Sequence, residues 1–236
     1  MTAGVRPEEL LLAVADDEFV IGFIDSEWTG IAPMLEEDIA TSSISQDELG
    51  HATAFYGLLA DLTGRDPDAI AYDRAPEEFR HCRLLDHPRG DWAFTIARRY
   101  LYETADAVRL EALADSSHRP LAELVAKIRR EERYHLMHVE TWLERLATRD
   151  DARERLLGAL EVASPDGSSV FTGMPSPDEL AARWRDRIAP TFTRLDLPLP
   201  PIEVPGADAR GDHSDAFRWL HGEFTSVRRL DPVATW

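Results

Sequence analysis

Several features that define whole classes of proteins are scarce or missing in this 236-residue chain. Its single cysteine, Cys82, forms no intrachain disulfide and fits a reducing compartment. No stretch of about 18 apolar residues occurs, so we expect no membrane-spanning helix. The opening residues, MTAGVRPEEL, have no charged segment followed by an apolar one, so they do not resemble a secretory signal. The sequence therefore predicts a cytoplasmic protein that does not act in a membrane.

Basic residues are also in short supply. The chain has 26 Lys and Arg against 44 Asp and Glu, which gives a formal net charge of −18 and an isoelectric point near 4.8. Such a charge argues against binding to nucleic acid or to anionic membrane surfaces. The sequence also lacks a glycine-rich phosphate loop and a convincing Ser/His/Asp arrangement.

What the chain does have is a long amphipathic pattern between Leu121 and Leu146. At alternating steps of four and three residues, eight positions fall along one seam of a helix, and six of them are apolar. The two exceptions, Glu132 and His135, lie one turn apart in the middle of the seam. A carboxylate in a helical core costs several kcal/mol unless something compensates it, and a shared metal ion would do so.

Three other helical segments have acids in the same central place. A second Glu-x-x-His motif, Glu48 with His51, lies in a predicted helix from about Leu35 to Leu62. A single glutamate interrupts the apolar seam in each of two further helices. These are Glu18, between about Pro7 and Trp28, and Glu103, between about Asp91 and Ala114.

Beyond these four helices the pattern is weaker. Residues 64–90 form a long connection with three prolines, which allows the chain to cross over rather than turn tightly back. Further helices are expected over about 151–163, 176–193 and 214–230, with a proline-rich extended segment between the last two. We therefore expect a bundle over residues 1–148 and, over 149–236, additional helices packed on it.

The spacing of the central acids indicates a repeated hairpin. Glu18 and Glu48 are 30 residues apart, Glu103 and Glu132 are 29 apart, and a helix breaker lies almost midway in each pair. Each hairpin would place a glutamate opposite a Glu-x-x-His motif, roughly 20 Å from the turn. Two such hairpins predict an all-α, ferritin-like four-helix bundle.

The centre of that bundle would hold a dinuclear metal site. Four glutamates and two histidines suit iron first and manganese second better than zinc, which takes fewer ligands. The alternative is a set of buried salt bridges with arginines such as Arg99. The predicted metal ligands are Glu18, Glu48, His51, Glu103, Glu132 and His135.

Residues next to these ligands carry weaker expectations. Asp47 and Glu131 precede the motif glutamates and would accept hydrogen bonds from the ligand imidazoles, or else are ordinary surface acids. Asp25 and Asp106 could hydrogen-bond or add a ligand. The tyrosines near the site are expected to be core residues rather than redox centres, and the other six histidines are expected to be solvated. These are Tyr100, Tyr102 and Tyr134, and His81, His87, His118, His138, His213 and His221.

The chain also resembles a known family. The segments SEWTGIAPMLEEDIATSSISQDELGHA, TIARRYLYETADA and EERYHLMHVETWLERLA, with the closing tryptophan, are similar to the phenylacetyl-CoA epoxidase (phenylacetate-CoA oxygenase) family, most of all to its smaller, structural subunit. The resemblance covers nearly the whole chain and implies a ferritin-like, cytoplasmic protein of aerobic phenylacetate breakdown. In that family the catalytic subunit uses a di-iron site to insert one oxygen atom into the ring of phenylacetyl-CoA.

The resemblance also implies partners. It predicts a homodimer, or a heteromer with a larger ferritin-like oxygenase subunit, with a reductase as electron donor and an aryl-CoA thioester or similar organic compound as substrate. The structural subunits of the family have largely replaced the metal ligands, whereas this chain keeps ligand-capable side chains at all six positions. Two hypotheses follow: a di-iron monooxygenase component, or a non-catalytic subunit that stabilises a catalytic partner.

Overall fold

The computed structural model describes residues 6–231, so the closing Trp236 lies outside the described residues. Within that range the chain is all-α, as predicted, and has no strand. The helices of the described part are α1 (Pro7–Ser26), α2 (Leu35–Thr63), α3 (Pro67–Tyr72), α4 (Trp92–Ala114), α5 (Arg119–Ala147), α6 (Asp150–Ala163), α7 (Pro177–Arg194), α8 (Asp215–Phe224) and α9 (Ser226–Leu230).

The described chain forms two compact units. The N-terminal unit comprises residues 6–81, 85–88 and 210–231, and so includes α1, α2, α3, α8 and α9. The central unit comprises residues 82–84 and 89–209, and so includes α4 to α7. The expected division of the chain at residue 148 stays a prediction.

The N-terminal unit is built around a hairpin of α1 and α2. The helices are antiparallel, since residues late in α1 face residues early in α2 and the reverse holds at the other end. Helix α1 begins at Pro7, whose missing N–H costs nothing in the first turn. Helix α2 ends at Gly64, where φ is 70° and a side chain would be strained.

A buried polar network fixes α1 within this unit. The Asp16 carboxylate accepts a hydrogen bond of 2.6 Å from the Tyr56 hydroxyl, one of 2.9 Å from Arg74 Nη1 and one of 2.7 Å from the Arg80 backbone N–H. Asp16 is fully buried and Arg74 is 4% exposed. Burial alone would lower the pKa of Arg74, but the charge of Asp16 holds that pKa above its ordinary value. The guanidinium therefore stays charged in the core.

The acid next to Asp16, Asp17, anchors the segment that precedes α8. Asp17 Oδ1 accepts a hydrogen bond of 3.0 Å from Arg210 Nη1, which also donates to the Arg80 backbone carbonyl at 2.7 Å. Asp17 is fully buried, and Arg210 is 5% exposed. This pair fastens the segment before α8 to the middle of α1, 193 residues away in sequence.

In the central unit, α4 and α5 form a second antiparallel hairpin, on which α6 and α7 pack. The side chains that join α7 to α4 are Trp184 and Thr104: the indole Nε1–H donates to the Thr104 hydroxyl at 2.9 Å. Trp184 is fully buried and satisfies its polar edge in this way. The packing of α7 holds α4 in place beside the acids of the hairpin.

Two boundaries differ from expectation. Helix α1 ends at Ser26 rather than at Trp28, whereas α6 ends at Ala163, as expected, and the chain continues from there as a 3₁₀ helix, Ser164–Phe171. Ser176 does precede α7, but its φ is 51° and its side chain caps nothing. The last predicted helix divides into α8 and α9 at Thr225, whose hydroxyl bonds to the His221 carbonyl.

Gly167 gives a direct test of this packing. A Cβ at Gly167 would lie 2.6 Å from Cη2 of the buried Trp184, a distance that real Cβ contacts do not reach. We expect Gly167→Ala to lower the free energy of unfolding by about 1–3 kcal/mol, measured by denaturant titration.

Gly158→Ala is the matched control for this substitution. A Cβ at Gly158, inside α6, meets nothing within 4 Å. Since alanine is the better helix former, that variant should be unchanged or more stable by about 0.5–1 kcal/mol. Equal effects of the two substitutions would contradict the predicted contact with Trp184.

No helix in the described part of the chain combines the length and the apolar character needed to cross a bilayer.

Candidate metal centre

The N-terminal unit brings three predicted ligands together. His51 Nδ1 lies 3.5 Å from Glu18 Oε2 and 3.8 Å from Glu48 Oε2. All three side chains are buried: the glutamates are fully enclosed and His51 is 4% exposed. The hairpin explains the meeting, since Glu48 and His51 occupy one face of α2 and Glu18 faces them from α1.

A glycine allows α1 to approach α2 closely at this point. Gly22 lies one turn after Glu18, and a Cβ there would be 3.2 Å from Glu48 Cβ and 3.0 Å from Leu49 Cγ. Both distances are tighter than ordinary contacts, so any larger residue would push α2 outward. Gly22 therefore helps to set the separation between the carboxylates of the two helices.

The central unit brings the other three together in the same way. His135 Nδ1 lies 3.4 Å from Glu132 Oε1 and 4.0 Å from Glu103 Oε2. Glu103 is fully buried, His135 is 1% exposed and Glu132 is 5% exposed. Each unit thus holds one imidazole against two buried carboxylates, one from its own helix and one from the facing helix.

An arginine distinguishes the central set. Arg99, one turn before Glu103 on α4, forms a close ion pair with Glu103 Oε1. Both side chains are buried. The salt-bridge alternative raised by the sequence is therefore realised at one glutamate, whose other oxygen is the one nearest to His135.

A cavity of about 390 Å³ opens beside Glu132. Its walls come from α4, α5 and α7, and they combine apolar side chains such as Leu110 and Ile188 with Arg129 and Arg187. Arg187 Nη2 donates a hydrogen bond of 2.6 Å to Glu111 Oε1 at the same cavity. Glu132 is therefore a predicted ligand that lines a pocket, and this pocket is large enough for a small organic group.

The donor chemistry of both sets fits hard or borderline divalent cations. Each set offers carboxylate oxygens and one imidazole nitrogen, which are the ligands that iron and manganese take in proteins. Nitrogen–oxygen separations of 3.4 to 4.0 Å are close to the ligand-to-ligand spacing around one ion. Two buried carboxylates held against the same imidazole repel each other, and a divalent cation removes that cost.

Comparison with known proteins decides the family. The family model described as "Phenylacetic acid catabolic protein" matches residues 6–236. A curated relative, the C subunit of 1,2-phenylacetyl-CoA epoxidase from Escherichia coli (strain K12), is 37% identical over 245 aligned positions, which cover 95% of this chain and 97% of the relative. The chain belongs to the phenylacetic acid catabolic protein family.

A second relative is more distant. The A subunit of the same Escherichia coli enzyme is 23% identical over 200 aligned positions, covering 77% of this chain and 64% of that relative. The family resemblance inferred from the sequence motifs is thus confirmed, and so is the all-α, ferritin-like class that it implied.

The predictions for the residues that flank the ligands have different outcomes. Asp106 is buried, and its Oδ1 accepts a hydrogen bond of 2.6 Å from Arg109 Nε, an ion pair that explains its burial without a metal. Asp25 is fully buried on α1. Asp47 is exposed and Glu131 is half-buried. Their predicted role as acceptors for the ligand imidazoles stays a prediction.

The expectation that the remaining histidines are solvated is wrong for three of them. His81, His213 and His221 are 1%, 8% and 6% exposed. The sequence pattern failed here because these residues lie in irregular segments or in the short helix α8, where no long seam reveals which side faces the core. The other three, His87, His118 and His138, are half-buried.

The prediction that the tyrosines are core residues holds for two of the three. Tyr100 and Tyr102 are buried, as expected, and Tyr102 accepts a hydrogen bond of 3.0 Å from Arg109 Nη2. Burial raises the pKa of Tyr100 to about 12, so its phenol stays protonated at neutral pH. Tyr134 is 69% exposed, which contradicts its predicted place in the core.

Sequence reasoning missed the buried acids beside Glu18. Asp16 and Asp17 are each fully buried, although neither falls on the apolar seam. A signal was present: three consecutive acids precede the apolar run FVIGFI, in a helix that is buried on nearly all sides. Their partners are Arg74, in a bend after α3, and Arg210, in a short 3₁₀ helix (Ala207–Gly211), and no periodicity marks either position.

Proposed function

We propose that this protein is one subunit of a phenylacetyl-CoA epoxidase-type monooxygenase and that its six buried ligands together hold two metal ions, iron or, failing that, manganese. The observation that carries the proposal is the matched pair of ligand sets. Each hairpin holds a glutamate against a Glu-x-x-His motif, with the imidazole Nδ1 within 3.4 to 4.0 Å of both carboxylates.

Two matched sets favour a dinuclear centre over two unrelated ion pairs. The ligands repeat at spacings of 30 and 29 residues, and all six side chains are buried. In ferritin-like di-iron proteins one glutamate comes from each of two helices and one Glu-x-x-His motif from each of the other two. This chain has the same set of ligand types, with one glutamate on each of two helices and one Glu-x-x-His motif on each of the other two.

The chemistry follows from what the ligands hold. A di-iron centre bound at these residues would supply the redox chemistry by which one atom of O₂ enters an aryl-CoA thioester, while the other atom leaves as water with two protons and two electrons delivered by the reductase. The protein contributes orientation, charge balance and exclusion of water. The buried carboxylates of Glu18, Glu48, Glu103 and Glu132 would balance the positive charge of the metals.

The cavity beside Glu132 suits the reacting end of such a substrate. Its volume is about 390 Å³, and its lining combines apolar side chains with three arginines and three glutamates. Arg98 is fully buried and so cannot meet a substrate at the surface, whereas Arg129 lines the cavity. We propose that the aryl group enters this cavity and that Arg129 or Arg187 contacts its polar part.

A second function has its own support. The C subunit of the Escherichia coli enzyme, at 37% identity, is a nearer relative than the A subunit, at 23%, and the Arg99–Glu103 ion pair neutralises one predicted ligand without a metal. On this alternative the chain is non-catalytic and stabilises a larger, ferritin-like catalytic partner. A reductase would deliver electrons to the complex under either hypothesis.

Reconstitution with a reductase and the larger, ferritin-like partner subunit separates the two functions. We expect Glu48→Ala to abolish oxygenation of phenylacetyl-CoA by the complex, because it removes a ligand of the reacting metals. The control is Glu36→Ala, an exposed acid on the same helix, which should leave activity unchanged. Full activity of the Glu48→Ala complex would instead assign this chain the stabilising role.

A further inference from the structure

A third group of metal-ligating side chains lies in the N-terminal unit, apart from the six ligands above. It consists of His81, Asp86 and His213, whose donor atoms all lie within 4.8 Å of one another. His81 Nε2 is 3.1 Å from Asp86 Oδ1, and His213 Nδ1 is 3.3 Å from the same oxygen. Two imidazole nitrogens therefore converge on one carboxylate oxygen.

The protein encloses this group. The side chains of His81 and His213 are 0% and 2% exposed, and that of Asp86 is 14% exposed. Asp86 is held from its other side: its Oδ2 accepts a 2.6 Å hydrogen bond from the Ser214 backbone N–H, and its carbonyl accepts one of 2.8 Å from the Ser214 hydroxyl.

The hydrogen bonds of His213 require a cation at this point. Its Nε2 lies 3.0 Å from the Phe79 carbonyl oxygen, and since a carbonyl can only accept, Nε2 must carry the proton. In the neutral ring, Nδ1 then presents a lone pair to the ionised Asp86 oxygen. Two acceptors at 3.3 Å repel each other unless a proton or a metal ion lies between them.

We propose that this cation is a divalent transition metal, bound by His81 Nε2, His213 Nδ1 and Asp86 Oδ1. The nitrogen–oxygen separations of 3.1 and 3.3 Å match the distance between two neighbouring ligand atoms when each is bonded to one ion at about 2.0–2.2 Å. A backbone carbonyl that fixes the far nitrogen of a ligand imidazole, as Phe79 does for His213, is the usual support of such a ligand.

A shared proton and a metal ion place different charges on the rings. A shared proton would make one of the two enclosed rings an imidazolium. A divalent ion lets both rings stay neutral. Two imidazoles and one carboxylate form the set that binds Zn²⁺ or Fe²⁺ with at least one position left for water.

Binding would change one feature of the cluster. The two rings are stacked, with centroids 4.2 Å apart and planes 12° apart, so an ion can lie in the plane of both only if one ring turns about its Cβ–Cγ bond. The site would then tie the loop before α4 to the start of α8, since Asp86 and His213 belong to these two segments. This role is independent of the proposed dinuclear centre.

Zinc binding tests the proposal. Chelator-washed protein is titrated with Zn²⁺ and the bound equivalents are measured by elemental analysis after gel filtration. The variants are His213→Gln, which can keep a donor for the Phe79 carbonyl, and His81→Phe, which keeps a stacked ring. Each is expected to bind one equivalent fewer than the wild type, whereas His118→Gln, a half-buried histidine at the start of α5, should match the wild type.

If those substitutions prevent folding, a further variant still tests whether this group binds zinc. Glu48→Ala/Glu132→Ala removes ligands of the proposed dinuclear centre only, and it should still bind one zinc ion, with a higher melting temperature in its presence. No zinc retained by that variant, or the same zinc content in folded His213→Gln and His81→Phe as in the wild type, would overturn the proposal. If the double variant binds two ions fewer than the wild type but keeps one zinc ion, the lost ions belong to the dinuclear centre and the retained zinc supports the histidine site.

Discussion

Glu48→Ala combined with Glu132→Ala is expected to reduce the iron or manganese at the dinuclear centre from about two ions per chain to almost none. Each substitution removes one buried carboxylate that lies within 3.8 Å of the imidazole in its own set. Loss of a first ligand commonly weakens a metal site far more than loss of a supporting hydrogen bond, which alone costs about 10- to 100-fold in affinity. With one ligand removed from each set, neither ion keeps its donors.

The control for this experiment removes the same chemistry from the same helices. Glu36 on α2 and Glu140 on α5 are exposed glutamates. We expect Glu36→Ala/Glu140→Ala to keep the wild-type metal content. Metal content is read by elemental analysis of protein purified without chelator, with circular dichroism to confirm that both double variants are folded. Equal metal in the ligand and control variants would show that these carboxylates bind no metal.

The second large effect concerns stability. Asp16→Ala is expected to lower the free energy of unfolding by about 3–5 kcal/mol, because it leaves the buried cation of Arg74 without its partner. The same change deprives the Tyr56 hydroxyl and the Arg80 backbone N–H of their shared acceptor. Denaturant unfolding followed by circular dichroism measures the loss.

Two further variants show whether the buried charge is the cause. Asp73 pairs with Arg228 at 3.1 Å on the surface of the same unit, so Asp73→Ala removes a similar pair that water screens, and it should change stability little. Replacing both buried partners, Asp16→Leu/Arg74→Met, should recover part of the loss, since no unpaired charge remains. An Asp16→Ala effect as small as that of Asp73→Ala would contradict the account of this network.

The long helices were predictable because each has a local signal. Pro7 suits a helix start, Gly64 suits a helix end, and the four central acids interrupt otherwise apolar seams. The predicted starts at Pro7 and Leu35 match the structure, and Asp91 does cap α4, accepting from the Phe94 N–H. Within each hairpin, the matched spacing also predicted which glutamate faces which Glu-x-x-His motif.

The sequence could not show contacts that join irregular segments to the helices. Arg74, Asp86, Arg210 and His213 all lie outside the long helices, and their partners are from 58 to 193 residues away, or lie in other short turns. No periodicity links such positions, so the buried arginines and the histidine cluster emerge only from the three-dimensional structure. Arg99 is the intermediate case: the sequence raised it as an alternative, and the structure pairs it with Glu103.

The central claim is that the six buried ligands hold a dinuclear metal centre. The measurement that tests it most directly is the metal content of the wild-type protein after growth in iron-supplemented medium and purification without chelator. The account predicts close to two ions of iron, or of iron and manganese together, per chain, in addition to any zinc. A folded wild-type protein with neither iron nor manganese, which also takes up neither when it is supplied in the reduced form, would contradict it.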